Sequence, residues 1–234
     1  TIASNAGLAR QRFSSTVNAP VEFGDAVLAL ALEDNTTDSS PYGNTMTANN
    51  SPGTVAAVFG NGYSAKGGSF LYKSDSDFDF GDSYYRMAWI KSGTTTLPSG
   101  QDFVLGGNDA SVGYFDLYIN SSGYLVSGIK SDGGTTSTLT CSNNIYDAKW
   151  HHVAQAFDLE TTMHNVWIDG VICQSAATSL QNNAVGEMVI GGGASSAAHP
   201  YLFQGIIDDV VVGKIGLNDH VIPAIHAEGR KKLG

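Results

Sequence analysis

The stretch that most constrains this chain is Lys149-Trp150-His151-His152-Val153-Ala154-Gln155-Ala156-Phe157-Asp158, followed by Asn165-Val166-Trp167-Ile168-Asp169-Gly170-Val171-Ile172. Side chains of a strand alternate between its two faces. Alternation puts Val153 and Phe157 on one face of the first run, with His152, Ala154 and Ala156 on the other. Val166 and Ile168 likewise face away from Trp167. Asp169-Gly170 lies between two apolar β-favouring runs, and a two-residue type I′ turn needs positive φ at both positions, so the pair predicts a hairpin.

The rest of the chain repeats this theme at short intervals. Strands are expected at Ala26–Leu32, Val55–Phe59, Gly68–Tyr72, Tyr84–Lys91, Asp102–Leu105, Tyr114–Ile119, Tyr124–Ile129, Thr135–Thr140, Glu187–Ile190 and Phe203–Val212. The 28 glycines supply turns, and 10 Phe, 10 Tyr and 3 Trp are enough for a core. Strands do not alternate with long helices, so the pattern predicts an all-β, two-sheet antiparallel sandwich. Only the end reads as helical: Val221, Ile222 and Ile225 share a face, Pro223 is tolerable in a first turn, and Gly229 is expected to stop the helix. The expected organisation is an arm or linker over 1–22, the sandwich over 23–217, and a short helix and tail over 218–234.

Composition excludes some functions. The longest apolar run, Ala26–Leu32, falls far short of the ~20 residues that span a bilayer, so no membrane insertion is expected. A formal charge of −10 opposes binding to nucleic acid, and the one basic cluster is Arg230-Lys231-Lys232. No signal peptide is visible at the N-terminus. Cys141 and Cys173 are open to either reading, a disulfide or two half-buried thiols.

Four stretches carry a family resemblance. They are Leu30-x-Leu32 leading to Asp38-Ser39-Ser40-Pro41-Tyr42-Gly43-Asn44; Asp77-Phe78-Asp79-Phe80-Gly81 leading to Met87-Ala88-Trp89-Ile90-Lys91; Lys149-Trp150-His151-His152-Val153-Ala154 with Trp167-Ile168-Asp169-Gly170; and Ile190-Gly191-Gly192 leading to Phe203-Gln204-Gly205-Ile206-Ile207-Asp208-Asp209-Val210. Their order and spacing resemble the concanavalin A-like jelly rolls, in particular the laminin G-like subgroup that includes pentraxins. The resemblance implies two antiparallel sheets, one concave, with binding loops on a rim. Similar domains occur in phage tail-fibre and virion proteins, with a short helix after the last strand. It also implies a structural calcium ion: in the similar glucanases the side-chain ligand is the Asp of a final-strand Asp-x-Val pattern, matched here by Asp208, with Asp38 the next candidate.

Catalytic signatures fail. Relatives that cleave β-glucans are similar in carrying two Glu and an Asp close together on one strand. Here Glu22, Glu33, Glu160, Glu187 and Glu228 are scattered, and adjacent Asp208 and Asp209 are expected on opposite strand faces. By the same rule His151 and His152 do not share a metal ion, and they read as core and rim residues. His220 and His226 are expected in solvent. Asp75-x-Asp77-x-Asp79 lacks the Gly and Glu of an EF-hand and reads as a polar turn. Gly60-Asn61-Gly62 lacks the helix a dinucleotide loop needs.

Two polar loops combine aromatic rings with amide, carboxylate or imidazole groups, 106–114 and 193–201. They nominate Asn108, Asp109, Tyr114, His199 and Tyr201 as ligand-binding residues. The expectation is a non-catalytic recognition module for a cell-surface glycan, within a phage tail fibre or another virion appendage, and therefore in a virion or extracellular setting. Its rival is a structural particle component contacting only neighbouring virion proteins, and a carbohydrate-active enzyme with an unfamiliar site is the third reading. A homo-oligomer, a trimer above all, would suit a fibre, although no heptad run argues for it.

Overall fold

Tyr84–Ser92 and Trp150–Asp158, nine residues each, pair antiparallel along almost their whole length and sit at the middle of one sheet. The structure is a computed structural model. It describes residues 26–65, 68–81, 83–107, 113–131, 134–179, 186–193, 202–214 and 221–233 in full, and the backbone alone of 9–10, 22–23, 108–109 and 183–184.

In chain order the strands begin β1 (Ala9–Arg10), β2 (Glu22–Phe23), β3 (Ala26–Leu30), β4 (Thr47–Asn49), β5 (Gly53–Ala57), β6 (Gly60–Ser64), β7 (Phe70–Ser74), β8 (Asp79–Phe80), β9 (Tyr84–Ser92) and β10 (Asp102–Gly106). They continue β11 (Asn108–Asp109), β12 (Gly113–Ile119), β13 (Tyr124–Lys130), β14 (Thr136–Asn144), β15 (Trp150–Asp158), β16 (Met163–Ile168), β17 (Val171–Ala177), β18 (Asn183–Ala184), β19 (Glu187–Ile190) and β20 (Gly205–Gly213); helix α1 (Val221–Leu233) follows. The first sheet has the order β14-β13-β12-β10-β19-β7-β4, with β11 added beside β12. The second has the order β17-β16-β15-β9-β20-β6-β5, with β3 beside β20. Paired strands are antiparallel throughout both sheets, so the all-β sandwich expected from the sequence is what forms. β1 and β2 pair with each other within the region expected to be an arm.

The core lies between the sheets. Leu28, Leu30, Ala88, Ile90, Val153, Phe157, Val166 and Ile168 of the second sheet meet Val104, Leu105, Phe115, Leu117, Leu125 and Ile129 of the first. Burying a side chain of this size contributes about 1.5–3 kcal/mol, and the alternation read from the sequence decides which residues take part. The Asp169-Gly170 turn has φ of 52° and 78°, the positive values the hairpin requires. The Asp75–Asp79 segment is a short 3-10 turn over Ser76–Phe78, capped by the Asp75 side chain, which accepts from the Asp77 backbone N–H. Gly60–Ser64, considered for a dinucleotide loop, is strand β6.

Two polar side chains cross the core. His164 of β16 hydrogen-bonds Ser127 at 2.7 Å and Ser137 at 2.8 Å on the opposite sheet. Arg86 of β9 is fully buried; it donates to Gln155 Oε1 at 2.7 Å and to the Phe115 carbonyl at 2.7 Å, and lies 4.3 Å from the Phe115 ring centroid. Cys141, inside β14, is bonded to Cys173 of β17 with Cα atoms 5.4 Å apart, which ties together the edge strands of the two sheets.

Two expectations about the helical end are corrected. Gly229 does not stop α1, which continues to Leu233. The glycine is buried against Trp89, where a Cβ would lie 2.5 Å from Cε2 of the indole, so its role is close approach. Nor is His226 in solvent: its ring stacks on Trp89 at 5.6 Å and 24°. His220 lies outside the described residues.

Candidate functional site

β12 alternates strictly: Phe115, Leu117 and Ile119 enter the core, and Tyr114, Asp116 and Tyr118 face outward, half-buried. The pairing register extends that outward face across the first sheet. Tyr118 lies opposite Phe103 of β10 and Val126 of β13, and Val126 opposite Thr140 of β14. Asp116 lies opposite Gly128, and Gly128 opposite Thr138. Tyr114 lies opposite Lys130, and Lys130 opposite Thr136. Directly opposed residues share a face, so these form three rows on one surface, roughly 14 Å from β10 to β14 at the usual strand spacing.

The surface has the chemistry of a sugar platform. Tyr118 stacks on Phe103 at 5.0 Å and 26°, and its hydroxyl is hydrogen-bonded by Gln101. Gly128 leaves a hollow at the centre; a Cβ there would come within 3.3 Å of the Tyr114 ring. Thr136, Thr138 and Thr140 line the far side, exposed. Asp116 keeps part of its surface in solvent while its Oδ1 is enclosed and unpaired. Burial pushes its pKa up to about 7, opposed by the Arg86 charge behind the sheet and a hydrogen bond from the Gly107 backbone.

The nominated loops are placed only in part. Asn108 pairs with Tyr114 and Asp109 with Gly113, so the first loop is the β11–β12 hairpin, and β11 edges this face. His199 and Tyr201 lie outside the described residues, but both flanks of their loop are placed. A Cβ on Gly193 would meet the Phe103 ring at 3.1 Å, and Leu202 bridges Phe103 in parallel. Gly193 and Leu202, at either end of the second loop, therefore both lie against Phe103 of β10. Sequence reading missed Tyr118, Phe103 and Asp116, although the two-residue spacing of Tyr114, Asp116 and Tyr118 carried the signal.

The two nominated metal ligands have different surroundings. Both Asp38 oxygens are engaged: Oδ1 accepts from the Ala29 and Ser40 backbones at 2.9 and 2.8 Å, and Oδ2 from Ser40 Oγ and the Asn44 backbone, each at 2.6 Å. Asp38 organises its own loop and has little acceptor capacity left for a metal. Asp208 is fully buried, and its Oδ2 accepts from the Phe59 backbone at 3.0 Å while Oδ1 has no partner. A bulge follows, with Asp209 at φ 50°, so simple alternation does not separate the two aspartates as expected. Asp209 is buried too, with Oδ2 unpaired. Burial raises Asp208 to about 6 and Asp209 well above the carboxylate range, and the Glu33 charge adds to both. Glu33 is exposed and accepts from the Asn61 backbone at 3.0 Å. Asp208 and Asp209 lie where β20 leaves β6, after Ile207 and Tyr63, and takes up β3, at Val210 and Leu30; among the described residues no three His, Cys, Asp or Glu side chains form a group that could hold a metal ion.

Comparison with known proteins supports the architecture. Domain 4 of AbnA, a GH43 extracellular arabinanase from Geobacillus stearothermophilus solved in complex with arabinotriose, superposes with a TM-score of 0.68 at 14% identity, over 86% of this chain and 98% of that one. The binding domain of Paraclostridial Mosquitocidal Protein 1 superposes with a TM-score of 0.70 at 14% identity, over 86% of this chain and 52% of that one. The binding domain of botulinum neurotoxin serotype G gives 0.66 at 14% identity, over 87% and 51%. The chain thus spans about half the length of the two toxin binding domains. Among curated proteins, none matches the sequence. At such identities the superpositions speak for the fold alone. A family model described as the concanavalin A-like lectin/glucanases superfamily matches residues 65–222, more than half of the chain, and the chain belongs to that superfamily.

Proposed function

We propose that this domain is a non-catalytic recognition module that binds carbohydrate on the outer face of its first sheet. The observation that carries the proposal is the set of rows around Gly128: the Tyr118–Phe103 stack, Tyr114, Asp116, Lys130 and the exposed threonines. Aromatic rings receive the C–H face of a sugar, and hydroxyl, carboxylate and ammonium groups match its hydroxyls. The likeness to an arabinanase domain solved with arabinotriose supports the ligand class. A disulfide between the sheet edges suits an oxidising setting, in keeping with display outside a cell or on a virion appendage, where surface glycans are met. The test is a glycan array that includes arabino-oligosaccharides, followed by titration calorimetry on any hit with Tyr118→Ala and Tyr114→Ala. Each substitution should weaken binding about tenfold or more, as expected for a stacked aromatic anchor. A ligand that binds both variants as tightly as the parent would remove the platform from the argument. No glycan ligand together with a large protein interface would favour the structural-particle role.

A second reading concerns calcium. Asp208 Oδ1 and Asp209 Oδ2 are buried oxygens without partners beside Glu33, and hard oxygen donors of this kind fit Ca²⁺. The side-chain oxygens would come from Asp208 and Asp209 alone, since no three His, Cys, Asp or Glu side chains among the described residues are grouped to hold an ion, and the metal's charge would offset the repulsion between the two aspartates. Asp38 is left out of this set. Calcium should raise the melting temperature of the metal-free protein, and Asp208→Asn should abolish the rise. A chelator that leaves the melting temperature of calcium-loaded protein unchanged would oppose the reading.

A further inference from the structure

We propose that helix α1 is a pH-sensitive latch, docked on the outer face of the second sheet while His152 and His226 are neutral and released as the pH falls and positive charge gathers around Asp169. The helix covers an apolar strip. Ile222 and Ile225 pack with Ala26, Tyr85, Met87, Ala154, Ala156, Trp167 and Val211. Beside this strip the interface is built from imidazoles. The His226 ring lies over Gly170 of the hairpin turn, where a Cβ would meet its Nδ1 at 3.0 Å, and stacks on Trp89. His152 lies beside the same indole, with centroids 5.2 Å apart, and 6.3 Å from the His226 ring.

Neither ring has a partner ready for a second proton. His152 Nδ1 and His226 Nε2 are enclosed and unpaired. Among the described residues the carboxylate facing them is Asp169, and it is already engaged. Its Oδ2 is 2.9 Å from His151 Nδ1, its Oδ1 accepts from the His152 backbone at 2.9 Å, and Oδ1 lies 3.9 Å from His226 Nε2. The other charged groups do not help. On α1 Arg230 adds positive charge next to His226, while Glu228 is paired with Lys231. From the β14–β15 connection Asp147 is shared by His151 and Lys149. β9 offers the Trp89 indole, and β20 offers Val211 and, opposite Trp89, the buried Asp208, whose carboxyl burial keeps from ionising readily.

The order of protonation follows. Burial works against a charged His151, but Asp169 and Asp147 outweigh it and hold its pKa above the ordinary value. It therefore charges first, and its charge faces His226. Burial holds His226 below the ordinary value, and burial plus the facing His226 hold His152 down at about 3. A group whose docked pKa is depressed stabilises docking above its free pKa, near 6.5, and loses that contribution as the pH falls below it. At pH 5.0 His152, held at about 3, favours release by about 30-fold, and His226 adds to this in the same direction.

Hydrogen exchange tests this on the whole chain. Amides of α1 should open at least about 30-fold more readily at pH 5.0 than at pH 7.5, after correction for the intrinsic pH dependence of exchange. Amides of β13, which lies in the other sheet, should change less than those of α1. His226→Phe keeps a ring on Trp89 without the titration, and the pH response of α1 should shrink. A helix equally protected at both pH values in the unmodified chain overturns the latch, whether or not the variant folds. So does a His226→Phe chain with an unchanged pH response.

Discussion

Replacing Gly229 by alanine sets two well-characterised effects against each other. Alanine in place of a helix-interior glycine contributes about 1 kcal/mol, so at an exposed site the substitution would stabilise α1. At Gly229 the new methyl enters the face of Trp89, 2.5 Å from Cε2 and closer still to Cζ2, where carbon atoms prefer about 3.5–4.0 Å. Trp89 cannot retreat. It is 1% exposed, with Val58 and Phe59 packed against it and His152 beside it. The helix must therefore lift by about 1 Å, loosening Ile222 and Ile225 from their strip. Overpacking of this kind costs about 1–3 kcal/mol, and the rigid neighbour places it in the upper part of that range. The net expectation is a loss of about 1–2 kcal/mol, or about 2–8 °C in melting temperature for a chain of this size. Urea unfolding of Gly229→Ala beside Ala224→Gly, an exposed position of the same helix, separates the two effects. Ala224→Gly should lose about 1 kcal/mol from propensity alone. A Gly229→Ala protein more stable than the parent by about 1 kcal/mol would refute the packing argument and return Gly229 to the role of an ordinary helical glycine.

Other outcomes follow from buried polar groups. His164→Leu should cost about 2–4 kcal/mol in urea unfolding, because it removes two inter-sheet hydrogen bonds and strands the hydroxyls of Ser127 and Ser137; a loss below 1 kcal/mol would mean the serines find other partners. Asp208 carries a folded pKa raised to about 6, so its contribution is fully present below pH 3.8 and is lost as the pH rises through 6, by about 3 kcal/mol in metal-free protein. A calcium-bound site would cancel that loss. The stabilisation by calcium should therefore grow between pH 4 and pH 6, a difference in which the histidine contributions to both samples cancel; a calcium effect that is flat over this window counts against Asp208 as a ligand.

What was legible in the sequence is what depends on neighbours along the chain. The hairpin at Asp169-Gly170 follows from turn chemistry alone, and the inward set Val153, Phe157, Val166 and Ile168 follows from alternation. Contacts between distant segments were not legible. Gly229 near the end of a helical pattern reads as a stop, and only the indole of Trp89, far off in the sequence, turns it into a close-packing residue. Asp208 and Asp209 read as pointing apart until the bulge at Asp209 breaks the period on which that reading rests. Tyr114 was picked for its loop, yet what makes a surface of it is the register that sets Lys130 and Thr136 beside it.

The two sheets use their outer faces differently, and the histidine pair shows why. On the first sheet the outward positions of β12 to β14 are tyrosine, aspartate, lysine and threonine, residues that can meet water or a sugar. On the second the outward positions of β9 and β15 are Tyr85, Met87, Trp89, His152, Ala154 and Ala156, too apolar to be left in solvent, so a helix must cover them. The small alanines let α1 come close, and Trp89 limits how close. His152 is the exception in that row, a polar ring placed where a hydrophobic one would bind the helix more firmly. Alternation sends His151 away from it, toward the carboxylates of Asp147 and Asp169. Two adjacent residues of one strand thus take opposite pKa shifts, and that division makes the helix interface sensitive to protons.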